Sequence, residues 1–190
     1  TRSQTVTGVQ TCALPILRVR CFSAGDFAEN AYLVSVDDAG TAVVIDPGAG
    51  AARMMEVVRD EGLEIAAVLL THAHLDHVEG LPEVLEVAAA PVHLHPDGRP
   101  LYDALPDQAR SFGAEAPDLP APDRELEAGR TLNFGGCSFR VRHVPGHAPG
   151  HVLFWEKEEE VAFVGDVVFR GSIGRTDLPG GDYRRLMVSI

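Results

Sequence analysis

The stretch Thr71-His72-Ala73-His74-Leu75-Asp76-His77 places three imidazoles and one carboxylate within six residues. Its position decides what it can do. Ile65 to Leu70 just before it is an unbroken apolar run, the pattern of a strand buried on both faces. After it, Val78 to Ala90 has helical character and tolerates Pro82 in its first turn. The cluster therefore lies on a strand-to-helix corner. In extended backbone, residues i and i+2 share a face, so His72 and His74 can converge on one ion. The turn into the helix can aim Asp76 and His77 at a second. Neutral imidazole and carboxylate suit Zn²⁺, with Fe²⁺ or Mn²⁺ as alternatives.

Upstream, Leu17 to Phe22, Ala31 to Val36 and Thr41 to Ile45 read as an antiparallel opening, the last ending in Asp46-Pro47-Gly48. Ala51 to Asp60 reads as a helix on the spacing of Met54, Met55, Val57 and Val58, and stops near Gly62. Downstream, Pro91 to His95 is a short strand. Residues 96 to 124 carry six prolines, which predicts a surface excursion with at most a turn or two of helix. Thr131 to Phe134, Cys137 to His143, Val152 to Trp155 and Val161 to Val164 return as strands. Gly135-Gly136 turns one hairpin, and the acidic run Glu156 to Glu160 makes the solvated tip of another. Strands, helix, strand, helix and a second run of strands predict an α/β (α+β) chain. Two sheets should pack face to face with helices outside, as an αββα four-layer sandwich. At the end, Asp182 is a good N-cap, and Tyr183, Leu186, Met187 and Ile190 share one face of a helix without a closing Gly or Asn. That uncapped stripe predicts that the chain continues past Ile190.

A chain of 190 residues with 45% hydrophobic content suits one domain. Its formal charge of -12 argues against nucleic acid or an anionic membrane surface as partner, because both are gripped by clustered Lys and Arg. Nothing resembles a membrane-spanning segment. Cys12, Cys21 and Cys137 lack CxxC spacing, which points to a reducing compartment and hence the cytoplasm. Cys21 and Cys137 lie in expected strands as small buried hydrophobes. Residues 6 to 16 resemble a translated sequencing adaptor, so 1–16 are read as a non-native or disordered leader and 17–190 as the domain. Oligomeric state is not legible.

Thr71 to His77 is similar to the signature of metallo-β-lactamase fold hydrolases. The resemblance extends to Val44-Ile45-Asp46-Pro47-Gly48, Val144-Pro145-Gly146-His147 and Phe163-Val164-Gly165-Asp166. It implies that His72, His74 and His147 hold a first metal, Asp76 and His77 a second, and Asp166 both, with one further His expected beyond Ile190. Asp46 would support the metal loop. His74, where di-iron flavoproteins of this fold place Glu, and Asp166, where the best-known β-lactamases place Cys, point away from those two branches. Gly171 to Asp182, with its Gly-Arg-Thr-Asp core, resembles the loop of glyoxalase II-like hydrolases and of persulfide dioxygenases. The resemblance thus implies a metallo-hydrolase cleaving thioesters of small thiols, S-lactoylglutathione-like, with a hydroxide bridging two divalent ions as nucleophile and Asp76 as ligand and proton acceptor. A persulfide dioxygenase with one iron on His72, His147 and Asp166 is the alternative, and an inactive fragment short of its last ligand is another. Arg175 is a candidate for orienting an anionic substrate. His143 and His151 flank the His147 turn as candidate hydrogen-bonding supports, whereas His93 and His95, without an evident carboxylate, read as a polar strand end.

Overall fold

The computed structural model describes residues 16–37 and 39–190. The expected leader, residues 1–16, lies outside the described residues except for Ile16, and Cys12 lies outside with it. The opening is antiparallel as expected: β1 (Leu17–Ala24), β2 (Glu29–Val36) and β3 (Thr41–Ile45) form a meander. From there the sheet turns parallel through β4 (Glu64–Leu69), β5 (Val92–Leu94) and the two-residue β6 (Arg124–Glu125), in the order β1-β2-β3-β4-β5-β6. Parallel neighbours need a crossover, and α1 (Ala51–Glu61) provides the first, ending on Gly62 in the left-handed conformation.

The second sheet is antiparallel, in the order β10-β9-β8-β7, from β7 (Thr131–Phe134), β8 (Cys137–His143), β9 (Val152–Glu156) and β10 (Val161–Phe163). Alternation along β8 sends Cys137, Phe139 and Val141 inward and leaves Arg140 and Arg142 exposed. Those inward residues meet Val34, Val43, Ile45, Ala67 and Leu69 from the first sheet, and this layer joins the two sheets. The opposite face of the first sheet is covered by α1, α2 (Leu81–Val87) and their neighbours in a second core layer. A small hairpin, β11 (Val168–Phe169) with β12 (Ser172–Ile173), precedes α5 (Tyr183–Ser189).

Several sequence-based expectations need correction. The helix expected over 78–90 is shorter: α2 covers only Leu81–Val87, and a separate 3-10 turn at Leu75–His77 carries the end of the His cluster. Gly80 sits so close to the Gly48 carbonyl and the Ala51 side chain that any side chain there would collide, so the backbone turns before the helix starts. The proline-rich segment is more helical than expected, with a 3-10 turn at Pro96–Gly98, α3 (Arg99–Asp103) and α4 (Leu105–Ser111). Pro96, Pro100 and Pro106 each fall in the first two positions of their helix, where a missing N–H is not needed, so they start helices rather than break them. This segment also buries Leu101, Tyr102, Leu105 and Ala109 in the core. Cys137 is buried as expected, but Cys21 is exposed. Glu156, read as part of a solvated tip, is buried and accepts the Glu159 N–H at 2.8 Å. Asp182 caps α5 through the Arg185 N–H, but only Leu186 of the expected stripe is buried; Tyr183, Met187 and Ile190 are exposed. No helix among the described residues is long and apolar enough to cross a membrane.

Candidate metal centre

Apart from the Arg175 side chain, the residues expected at the site come from the same edge of the sandwich, where the loops after β3, β4, β8 and β10 meet. The chain leaves β4 at Leu69, and Thr71 is seized by Asp46, which follows β3. One Asp46 oxygen accepts the Thr71 N–H at 2.7 Å, and the other accepts the Thr71 hydroxyl at 2.6 Å and faces His77 Nδ1 at 3.1 Å. Asp46 reaches them from a left-handed backbone, φ 48°, a conformation that costs a non-glycine residue and persists where the surroundings fix it. Three buried groups thus hang on one carboxylate.

These contacts set the tautomers of the imidazoles. The Thr71 hydroxyl has spent its hydrogen on Asp46, so at 3.0 Å from His72 Nδ1 it accepts, and His72 keeps a bare Nε2. His77 Nδ1 donates to Asp46, and its Nε2 faces Asp166; against burial, the bonds to Asp166 and Asp46 raise this imidazole well above its ordinary range, so Nε2 keeps a proton that a metal ion would displace. His147 Nδ1 donates to the Arg175 carbonyl at 2.8 Å, which leaves its Nε2 bare, as in His72. The bare nitrogens then meet. His72 Nε2 lies 3.1 Å from His74 Nδ1, which lies 2.8 Å from His147 Nε2. His74 Nδ1 has a single proton to offer, so at most one of these contacts is an N–H···N bond and the other opposes two lone pairs. A cation among the three relieves that opposition, and the donor set therefore fits a divalent metal. Burial first, then the neighbouring imidazoles, push His72 well below its ordinary range and His74 down to about 3, which keeps both neutral as ligands must be.

A second donor group adjoins the first. Asp166 Oδ1 lies 3.3 Å from His77 Nε2, and Asp166 Oδ2 lies 3.5 Å from His147 Nε2, so one carboxylate touches both groups. Asp76 Oδ2 stands 3.8 Å from His77 Nε2. Burial raises Asp166, but the His77 hydrogen bond and charge outweigh it and hold the carboxyl below its usual range, whereas burial leaves Asp76 raised. His151, wholly buried, stacks on His72 with ring centroids 4.5 Å apart and accepts the Asp166 N–H at 3.2 Å, as a support rather than a ligand. The Arg175 side chain is not at the centre. Its guanidinium is exposed and makes two 2.7 Å bonds to Asp177, and the loop reaches His147 through the Arg175 carbonyl instead.

Sequence reasoning missed four participants. Thr71 relays Asp46 to His72. Gln108 of α4 accepts the Leu75 N–H at 3.1 Å and donates to the carbonyls of Ala73 and Leu101 at 3.0 and 2.8 Å, clamping the metal loop from the proline-rich side. Glu29 of β2 is buried with both oxygens unpartnered, and burial raises its carboxyl to about 9, so it is neutral at physiological pH. Gly48 has Glu29 and the Asp76 carbonyl against its Cα, which leaves no room for a side chain. Only Thr71 carried a local signal, its adjacency to the cluster.

The sequence profile described as "Metallo-beta-lactamase superfamily" matches residues 24–189. Hydroxyacylglutathione hydrolase GloC of Haemophilus influenzae is 40% identical over 166 residues, covering 86% of this chain and 78% of that protein. The probable metallo-hydrolase YqgX of Bacillus subtilis is 37% identical, covering 92% and 82%. Among solved structures, the BLEG-1 B3 metallo-beta-lactamase superposes with a TM-score of 0.84 at 37% identity, covering 91% of this chain and 83% of that one. TTHA1623 in a di-iron-bound form gives 0.79 at 42% identity, covering 93% and 83%. The chain belongs to the metallo-beta-lactamase superfamily, as a glyoxalase II-like metallo-hydrolase.

Proposed function

We propose that the protein hydrolyses thioesters of small thiols, S-lactoylglutathione-like, at a centre of two divalent ions. The observation that carries the two-ion reading is Asp166, whose oxygens divide between His77 and His147. In this reading His72, His74 and His147 hold the first ion, Asp76 and His77 the second, and Asp166 both. Zn²⁺ is the proposed ion, with Fe²⁺ or Mn²⁺ as alternatives. Two ions so held supply a water nucleophile at neutral pH, by lowering its pKa from 15.7 towards ~7, and polarise a substrate carbonyl. Asp76, partly exposed and raised by burial, accepts the nucleophile's proton. Asp46 and the Arg175 carbonyl hold His72, His77 and His147 in the tautomers that present Nε2. A thiolate is a good leaving group, so the cleavage needs no separate general acid. The thiol ester class is supported by the likeness to the hydroxyacylglutathione hydrolase of Haemophilus influenzae.

A second reading, β-lactam hydrolysis, is favoured by the likeness to the B3 metallo-beta-lactamase. Persulfide oxygenation rests on less, since the ETHE1 protein of Myxococcus xanthus is 22% identical and shares the fold alone. The test is one metal-analysed sample assayed for S-lactoylglutathione cleavage, for hydrolysis of a chromogenic cephalosporin and for oxygen uptake with glutathione persulfide. Thioester cleavage should dominate. Oxygen uptake with one iron per chain and no thioester cleavage would overturn the reading in favour of the dioxygenase; cephalosporin turnover alone would favour the second.

A further inference from the structure

A second gathering of ligand-type side chains stands at the corner where the two sheets meet. His95 follows β5 in the first sheet, His143 ends β8 in the second, and Asp97 lies in the 3-10 turn between β5 and α3. The imidazoles lie parallel, centroids 4.4 Å apart at 9°. Asp97 Oδ2 is 4.0 Å from His95 Nδ1 and 4.0 Å from His143 Nε2, facing both donors equally. His95 and Asp97, neighbours in the chain, and the distant His143 thus bring three donors within one ion's reach.

We infer that His95, Asp97 and His143 form a further metal site, for a late transition-metal ion such as Zn²⁺ or Ni²⁺, that clips the corner after β5 to the end of β8. The donors are in the required state. His143 Nε2 is buried without a hydrogen-bond partner, a cost that a ligand would remove. His95 Nδ1 accepts the Asp97 N–H at 3.3 Å, so it is unprotonated, and an ion would take over the lone pair that this long bond now uses. Burial foremost, then His143 for His95 and Arg185 for His143, hold both imidazoles below their ordinary range and hence neutral. The imidazole donors select against Ca²⁺ and Mg²⁺, which need oxygen ligands.

Tetrahedral donors on Zn²⁺ sit roughly 3.3 Å apart, given bonds of ~2.0 Å, so the 4.0 Å pairs must close by less than an ångström. Asp97, 63% exposed in its side chain, is free to rotate inward, and the rings splay from their stack so that each lone pair meets the ion. With three protein ligands, water completes the shell. The clip lies in the segment that delivers the main centre's third imidazole, because β8 runs from His143 directly to Pro145, Gly146 and His147. The two arms already touch there: Gly150 packs against the Asp97–Gly98 backbone too closely for a side chain.

The experiment is equilibrium dialysis of the protein against excess Zn²⁺, with metal analysis and thermal unfolding, on the parent, His143→Ala and Asp97→Asn. The variants should hold about one Zn²⁺ fewer per chain, and excess Zn²⁺ should raise their Tm by less than it raises the parent's. Because the readout is the difference from the parent, it is independent of which reaction the main centre performs. Equal metal content in parent and variants overturns the inference, as does a Tm rise that Mg²⁺ reproduces. Asp97→Asn alters an exposed side chain and keeps the test open should His143→Ala fold poorly.

Discussion

The two sheets feed the main centre in opposite styles. The first sheet supplies His72, His74, Asp76 and His77 from one corner after β4, and a single buried carboxylate, Asp46, orders that corner through three contacts. The second sheet supplies His147, His151 and Asp166 one at a time from the loops after β8 and β10. These are held by main-chain partners: the Arg175 carbonyl on His147, and the Asp166 N–H on His151. A concentrated ligand set can be oriented by one side chain, while a dispersed one depends on where the loops pack. Side-chain deletion should therefore damage the first half most, and backbone crowding the second.

The largest effect should come from His74→Ala, since His74 Nδ1 is the nitrogen that meets both His72 and His147. Loss of at least one metal equivalent is expected, with turnover down more than ~100-fold, because removing mere supports of ligands already costs 10–100-fold. Unchanged metal content would remove the cluster from the centre. Next comes Asp46→Asn. The amide presents one acceptor where the carboxylate now serves Thr71 and His77 with two, so metal affinity should fall about 10–100-fold. Affinity equal to the parent would show that the corner is ordered by the strand alone.

On the second-sheet side, Gly146→Ala tests backbone packing. Gly146 has φ 139° and lies against the Leu186 backbone of α5, where a methyl group collides. The variant should lose about 1–3 kcal/mol in urea unfolding. A variant as stable as the parent would show that α5 does not brace the His147 loop.

A further test, read as a pH dependence, sharpens the electrostatics of the first half. Burial raises the Glu29 carboxyl from its ordinary value near 4.5 to about 9. Between those values the unfolded chain loses a proton that the folded chain keeps, so this group's contribution to stability declines as pH rises. Glu29→Gln has no proton to lose. In metal-free protein the variant should gain on the parent steadily from about pH 5 to about pH 8, and parallel stability curves would mean that Glu29 is ionised in the fold.

The sequence alone determined the meander, α1, β4 and the first half of the centre, because strand and helix periodicity and a ligand cluster six residues long are local facts. The scattered His147 and Asp166 came with a family resemblance rather than with periodicity or spacing. Tertiary structure decided the rest. It turned proline positions in 96–111 into helix starts, since only the folded neighbours show whether a missing N–H matters. It placed Gln108 on the metal loop across 33 residues and Glu29 behind Gly48. His95, read from sequence as a strand end without a carboxylate, has Asp97 beside it in the local 3-10 turn, but His143 joined them only when β5 and β8 met at one corner. Contacts between residues far apart in sequence are set by which sheet edges align, and no local pattern encodes that alignment.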